Sequence, residues 1–319
     1  MVVADLHVHT VESDGTMTLE EVRDAAREAD LAAVAITDHD RLCSALNAPV
    51  SRIDADGEVR DVASVDGRPG PDGSERRGTG DDNDGTGSDG FGGDGPGSDE
   101  PGDRDGRGPG RDLTVIRGIE LRVDTGFGAV DLLGYAGRET PALARELDRL
   151  GRNREKRGRR IVERVEDRLG VSLDLAVDEH TGRPHVARAI AESDADYGYR
   201  EAFAELIGDG CPCYVARDLP SVEASASLLA EACRVVSLAH PFRYRDTERA
   251  LGLCGEVGID AVERYYPYGH AVDEALLDRT IEAEDLLATG GSDAHDDTLG
   301  RVGLPAEAYD RLAERLLRP

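Results

Sequence analysis

Histidines and carboxylates recur along this chain at the ends of apolar, strand-like runs. The first run ends in His7-Val8-His9, and imidazoles at positions i and i+2 of a strand point to the same face. This pair alone fits a metal site as well as it fits two incidental histidines in a half-buried strand. The later runs favour the metal site, because candidate ligands follow them too. The full set, including one loop aspartate, is His7, His9, Asp14, His39, Glu120, Asp131, His240, Asp293 and His295.

The types of these residues indicate which ions they would bind. Mixed imidazole and carboxylate ligands suit Mn²⁺, Zn²⁺ or Fe²⁺ better than Mg²⁺ or Ca²⁺, and the thiolates of a structural zinc site are missing from the set. Nine ligands are too many for one ion, so we expect two or three divalent ions, with Glu120 as a bridging carboxylate. Clustered ions stabilise charge on both the attacking and the leaving oxygen of a phosphate ester. The sequence therefore predicts a metal-dependent phosphoric ester hydrolase.

The elements that must position these ligands alternate between strands and helices. The continuous apolar run at 31–36 is typical of a strand covered on both faces, and it ends at Thr37-Asp38-His39. A capping-box pattern at Thr18 and Glu21 opens the helix before it. In parallel α/β barrels, functional residues gather at the carboxyl ends of the strands. The pattern therefore indicates an α/β barrel with its site at that end.

Two stretches interrupt the alternation. Residues 51–111 are rich in glycine, aspartate and serine, and Phe91 is the one large apolar residue between Val65 and Leu113. Such a segment buries too little surface to offset its ordering entropy, so we predict a disordered acidic insertion. Residues 141–233 are mostly helical without a ligand-rich strand, and we predict an inserted helical subdomain there. The barrel would then comprise 1–50 with 112–140 as its first part and 234–319 as its second.

Charge and cysteine usage narrow the class of protein. Lys and Arg number 38 against 66 Asp and Glu, for a net charge of −28, and Lys156 is the one lysine. This balance argues against general binding to nucleic acid or anionic membranes, and it is typical of proteins from halophilic archaea. Five scattered cysteines and no apolar run of about 20 residues predict a cytoplasmic protein without a disulfide framework or membrane segment. No feature indicates an obligate protein partner.

One basic cluster, at 152–160, stands out in this acidic chain. A charge run of this kind is either a solvated helix face or a surface that faces phosphate or nucleic acid. The sequence alone leaves both interpretations open.

The ligand motifs, taken in order, resemble the polymerase and histidinol phosphatase (PHP) family over the whole chain apart from 51–111. The resemblance implies a distorted (β/α)7 TIM-like barrel with a helical insertion subdomain. The position of Asp14, the segment 183–188 and the helical insertion resemble one branch of that family. Its members hydrolyse nucleoside 3′,5′-bisphosphates and act as 5′-to-3′ exonucleases. The motifs are Asp5-Leu6-His7-Val8-His9, Asp14-Gly15-Thr16, Thr37-Asp38-His39-Asp40, Gly118-Ile119-Glu120, Ala239-His240-Pro241 and Gly291-Ser292-Asp293-Ala294-His295.

The resemblance also implies how the ligands divide among the ions. One ion would be held by His7, His9, Glu120 and Asp293, a second by Glu120, Asp131 and His240, and a third by Asp14, His39 and His295. Members of this branch often have histidine at the position of Asp131. The second site of this chain would then differ in strength or metal preference. Because aspartate can still ligate, we expect it to be weakened at most.

The implied activity is hydrolysis, by metal-bound hydroxide, of phosphate esters of nucleotides or of the 5′ ends of oligonucleotides. Arg183, His185 and Arg243 are the candidates for contact with the substrate phosphate, since arginine suits bidentate phosphate recognition. For Arg183 and His185 the competing interpretation is helix capping or packing. Two other functions stay open: a phosphatase for histidinol phosphate or another small phosphomonoester, and a non-catalytic PHP module that binds a partner.

Overall fold

The computed structural model describes residues 1–54, 58–62 and 112–317. Strands and helices alternate at both ends of the chain, and the middle is helical. The strands are β1 (Ala4–Val8), β2 (Ala33–Ile36), β3 (Val50–Ile53), β4 (Val59–Asp61), β5 (Leu113–Arg117), β6 (Ile119–Asp124), β7 (Ala129–Tyr135), β8 (Val235–Leu238), β9 (Ala261–Tyr265) and β10 (Leu287–Gly290). The helices are α1 (Leu19–Glu28), α2 (Pro141–Leu169), α3 (Arg183–Glu192), α4 (Tyr199–Glu201) with a π-helix at Ala202–Ile207, α5 (Val222–Ala232), α6 (Thr247–Val257), α7 (Glu274–Ala283) and α8 (Ala306–Leu316).

The strands form two five-stranded sheets, in the orders β1-β2-β5-β3-β4 and β10-β9-β8-β7-β6. This is a mixed α/β fold, because β1, β2 and β5 are parallel, as are β8, β9 and β10, whereas β6, β7 and β8 pair antiparallel. The pairing of the described strands shows two sheets, so the closed (β/α)7 barrel that the resemblance implied stays a prediction. Isolated bridges connect the two sheets, one from Val8 to Ala294 and one from His39 to Glu120. Both bridges lie at or just after the end of a strand that is followed by candidate ligands.

The insertion predicted from residue 51 begins later than expected. Val50–Ile53 and Val59–Asp61 form an antiparallel hairpin, and its first strand pairs with β5. Val50 and Ile53 are buried, so the first strand of this hairpin gains apolar contacts. The average composition of residues 51–111 did not indicate these contacts. The prediction of disorder from residue 51 is therefore wrong for these two strands. Its remainder, at 55–57 and 63–111, lies outside the described residues.

The helical subdomain is narrower than the predicted 141–233. Its own core is built from the second half of α2 onward, from Ile161 to Cys213. Leu143 and Leu150 at the start of α2, and Leu229 on α5, pack instead in the core beneath the second sheet. Both ends of the predicted insertion thus belong to the main body. The reason is that the core in which a helix buries its apolar face depends on the neighbours of that helix in space.

Helix α2 runs unbroken for 29 residues and carries the basic cluster. The Thr140 side chain caps its start and Pro141 occupies its first position, while Gly170, at φ 67°, ends it. Gly158 permits a close approach within the helix, since a Cβ there would lie 2.8 Å from Val177 Cγ1. The long helix thus spans from the second sheet to the helical subdomain. No helix of the described chain is both long and apolar enough to cross a membrane.

Candidate metal centre

Two buried histidines at the end of β1 form the inner part of the site. His7 is the fourth residue of β1 and His9 follows its end, and both are 0% exposed. Their Nε2 atoms lie 3.4 Å from Glu120 Oε2 and 3.4 and 3.3 Å from Asp293 Oδ1. Neither Nε2 has a hydrogen-bond partner among the described residues. Buried polar atoms are rarely left unpaired, so this pair of nitrogens is prepared for a ligand that the protein itself does not supply.

Glu120, at the second position of β6, joins the inner histidines to two further ones. Its Oε2 lies 2.9 Å from His39 Nδ1, and its Oε1 lies 3.1 Å from His240 Nε2. Burial opposes ionisation, but the neighbouring His39 and His7 hold the pKa of the Glu120 carboxyl well below its usual range. A carboxylate that is ionised and shared among four imidazoles has the position that a bridging ligand needs.

His39, Asp14 and His295 form the outer part of the site, closer to solvent. Asp14 Oδ1 lies 3.7 Å from His39 Nε2 and 3.4 Å from His295 Nε2. Burial lowers the pKa of His39, but the carboxylates of Glu120 and Asp14 outweigh it and raise that pKa to about 9. Without an ion, this histidine therefore carries a proton at neutral pH.

Asp131 lies on β7 at the other side of Glu120, and it has an ion-pair partner. Arg122 of β6 faces it directly across the strand pair, and Arg122 Nη1 lies 3.1 and 2.8 Å from the two Asp131 carboxylate oxygens. His240 Nε2 is 3.9 Å from Asp131 Oδ2. Asp131 thus reaches the site, but an arginine contacts both of its oxygens.

The nine candidate ligands converge on one region. They fall into four overlapping groups whose ligand atoms lie within 4.8 Å of one another: His9, Asp14, His39 and His295; His7, His240 and Asp293; His7, His9 and Glu120; and Glu120, Asp131 and His240. A cavity of about 300 Å³ opens over them, lined by six of the nine together with Arg122, Arg243 and Tyr244. The unpaired nitrogens and the mixed donor set fit two or more divalent ions. That these residues bind metal stays a prediction.

A buried glutamate that the sequence reasoning missed orients two of the ligands. Glu263 on β9 is 0% exposed, and its Oε1 lies 3.1 Å from His7 Nδ1. Its Oε2 accepts the backbone N–H of His240 at 2.7 Å. This contact helps to hold His240 at φ 26°, a backbone conformation that residues other than glycine rarely adopt. The available signal was a carboxylate directly after the apolar residues Ala261 and Val262 of β9.

Two further buried carboxylates hold the loops that carry ligands. Asp38 accepts the N–H and the hydroxyl of Thr10, at 2.7 and 2.8 Å, and the hydroxyl of Ser13 at 2.6 Å. These bonds fasten the segment between His9 and Asp14. Asp5 accepts the N–H and hydroxyl of Ser292, at 2.9 and 2.5 Å, next to Asp293. Neither aspartate belongs to a ligand group, and both hold the loops through backbone N–H groups and side-chain hydroxyls.

The three predicted phosphate contacts do not lie together. Arg243 lines the cavity, where its Nη1 lies 3.2 Å from Asp293 Oδ2 and 2.7 Å from the Tyr266 hydroxyl. Arg183 instead pairs with Asp209 at 2.8 Å, within the helical subdomain. His185 Nδ1 accepts the Gly182 N–H at 3.0 Å and caps α3, as the competing interpretation had it.

The basic cluster of α2 contributes positively charged side chains next to His39. Arg154 and Arg217 both donate to Asp40, the residue after His39. Arg157 is 8% exposed and donates through Nε to the Val215 carbonyl, at 2.7 Å. Burial and the neighbouring arginines, Arg183 first among them, lower the pKa of Arg157 to about 10. No carboxylate pairs with Arg157 in the described part of the chain, so this cluster keeps a positive charge that no carboxylate balances.

The five cysteines are free, and four of them are buried, so no disulfide forms. Burial raises the pKa of the Cys213 thiol, which packs in the helical subdomain core. Cys213 is therefore part of the packing, and Cys211, two residues before it, is half-buried.

Comparison with known proteins points to one family. The model of the PHP domain matches residues 5–60. A 3′,5′-nucleoside bisphosphate phosphatase of Chromobacterium violaceum is 25% identical over 315 residues, covering 91% of this chain and 86% of that protein.

Two solved structures share the fold, each at 22% identity and each covering 98% of this chain and 96% of the other. One, from Bifidobacterium adolescentis, was solved as a candidate metal-dependent phosphoesterase, with a TM-score of 0.66. The other is an amidohydrolase from Chromobacterium violaceum with bound sulfate and no metal, with a TM-score of 0.67.

Proposed function

We propose that this chain, a metal-dependent phosphoesterase of the PHP family, hydrolyses phosphate esters of nucleotides. Nucleoside 3′,5′-bisphosphates are the proposed substrates, together with the 5′ ends of oligonucleotides. The observation that carries the proposal is the convergence of nine imidazoles and carboxylates on one region, where six of them line a cavity. Two arginines bind Asp40, the residue next to the candidate ligand His39. The relative named as a bisphosphate phosphatase supports the choice of substrate.

His7, His9, Glu120 and Asp293 would hold the innermost ion, and Asp14, His39 and His295 an outer one. Divalent ions bound there would activate water and stabilise charge on the phosphate oxygens. Arg243 would donate to the phosphate, since its side chain lines the cavity and is 56% exposed. Tyr266 holds the Arg243 guanidinium in place.

The arginines around Asp40 support a substrate with a second phosphate. Arg183, Arg217 and Arg154 each lower the pKa of the buried Arg157, and Asp40 is the carboxylate that Arg154 and Arg217 share. A phosphate held here would leave the other phosphate of a bisphosphate free to reach the ligand groups. The net negative charge of the protein repels anions over the rest of its surface, whereas these arginines attract a phosphate locally.

The test is a substrate comparison with the Mn²⁺-supplemented protein at high salt. Adenosine 3′,5′-bisphosphate and a 5′-phosphorylated oligonucleotide should be hydrolysed with higher kcat/KM than 3′-AMP or histidinol phosphate. Arg157→Met should lower kcat/KM for the bisphosphate by about 10- to 100-fold, the value of a hydrogen bond to a charged group, and should change 3′-AMP hydrolysis little. Arg160→Met, an exposed arginine of the same helix, is the matched control.

Two outcomes would replace this proposal. A preference for histidinol phosphate would establish the small phosphomonoester phosphatase. The absence of turnover on the whole panel, by protein shown to contain bound metal, would establish the non-catalytic module.

A further inference from the structure

Arg122 occupies a corner of the site that the ligand pattern assigns to an ion. It follows Glu120 by two residues on β6, so both side chains lie on the same face of that strand. Its side chain is 43% exposed toward the cavity, while its partner Asp131 is almost completely buried. The guanidinium carries its charge at every pH at which the protein is folded, so this corner always holds a positive charge.

Asp131 and Asp293 each contact an arginine, but the two contacts involve different numbers of carboxylate oxygens. Arg243 approaches Asp293 through Oδ2, and Asp293 Oδ1 stays within 3.4 Å of the two inner imidazoles. Arg122 by contrast lies within hydrogen-bond distance of both Asp131 oxygens. The backbone of Asp131 is held as well, since its N–H donates to the Tyr244 hydroxyl at 2.8 Å. Asp293 therefore keeps one carboxylate oxygen away from its arginine, whereas both oxygens of Asp131 face the Arg122 cation.

We infer that Arg122 takes the place of a divalent ion at the group formed by Glu120, Asp131 and His240, so that this chain binds two ions. The inference rests on the proposed metal centre and deepens it. The ions occupy the inner group around His7 and His9 and the outer group around His39. Arg122 neutralises Asp131, repels a third ion, and presents its remaining N–H donors to a phosphate in the cavity. It is a positioning residue with respect to Asp131.

The test counts ions on the whole protein. Metal-free protein is dialysed to equilibrium against Mn²⁺, and bound manganese per chain is measured by mass spectrometry. The wild type should bind two ions. Arg122→Met removes the charge and releases Asp131, so this variant should bind three. Arg122→Lys keeps a charge at this corner and should bind two.

The double variant Arg122→Met/Asp131→Asn separates the ligand from the charge. It should return to two ions, because the carboxylate that would hold the third is gone. Asp131→Asn alone should also bind two. Thermal unfolding of every metal-free variant shows whether its fold is intact.

Three bound ions in the wild type, or two in a folded Arg122→Met variant, would overturn the inference. If Arg122→Met does not fold, the Asp131→Asn variant decides, since a count that falls below the wild-type value would show Asp131 to be a ligand. A wild type that binds no Mn²⁺ would contradict the metal centre itself, so the two failures are distinguishable.

Discussion

Glu263 Oε1 lies 3.1 Å from His7 Nδ1, and both side chains are completely buried. This contact directs the opposite nitrogen, Nε2, toward Glu120 and Asp293. A carboxylate behind a metal-binding imidazole fixes its tautomer and raises its basicity. The proposed inner site is therefore shaped by a residue that is not itself one of its candidate ligands.

Glu263→Gln tests this orientation. The variant keeps the shape of the side chain but loses its charge, so the Mn²⁺ affinity of the inner site should fall by about 10- to 100-fold. Isothermal titration of metal-free protein measures it. Glu282→Gln, on the exposed face of α7, should bind like the wild type. Equal affinities in the two variants would contradict the assigned role.

Glu120→Ala should abolish most of the activity. Glu120 is within 3.4 Å of four imidazoles, so its loss affects the inner and the outer group together. A catalytic ion supplies several kcal/mol of charge stabilisation, and a loss of at least about 100-fold in kcat/KM follows. His39→Ala should lose activity through the outer group alone. Activity retained by both variants would remove the basis of the proposed site.

Metal binding should release protons. In the metal-free protein the pKa of His39 is raised to about 9, from its ordinary value of 6.5, so the imidazole is protonated at pH 7 and must lose that proton to bind an ion. Titrations in two buffers of different ionisation enthalpy measure the release, and apparent Mn²⁺ affinity should increase from pH 6.5 to about 9. His39→Asn should reduce the release at pH 7, while His270→Gln, an exposed histidine, should leave it unchanged.

The raised pKa of His39 also determines the direction in which the stability of the metal-free protein changes with pH. A raised pKa means that the folded state binds the proton more tightly than the unfolded state does. The contribution of His39 to the free energy of unfolding is therefore complete below pH 6.5 and is lost as the pH rises through about 9. Urea unfolding of wild type and His39→Asn, at pH values on both sides of this range, measures it. A difference between them that increases with pH would contradict the assignment.

Gly291→Ala should disturb the packing between β10 and β1. A Cβ at Gly291 would lie 2.4 Å from the His7 backbone nitrogen and 2.5 Å from His7 Cβ. Overpacking of this kind costs about 1–3 kcal/mol, which urea unfolding would detect. Gly252→Ala, in α6, is the matched control. Its Cβ would meet Glu256 Oε1 at 3.8 Å as the nearest neighbour, so alanine should stabilise by about 0.4–1 kcal/mol.

The sequence by itself determined the local part of this protein. The types of the ligands, the alternation that brings them to strand ends, and the caps at Thr18 and Thr140 are set by neighbours in the chain. Their side-chain period and hydrogen bonding are local, so they can be read before folding. The order of the motifs led to the resemblance to the PHP family, whose domain model matches residues 5–60, and to the prediction of an ester hydrolase.

Only the tertiary structure decided which distant residues meet. The bond from Glu263 to His7 spans 256 positions, and Arg217 reaches Asp40 across 177. The pairing of Arg122 with Asp131 depends on the register of β6 against β7, and a one-residue slip would place the two side chains on opposite faces. The hairpin within the predicted insertion was hidden for the same reason, since pairing with β5 stabilises it. Such contacts depend on which surfaces fold together, and no local pattern records that.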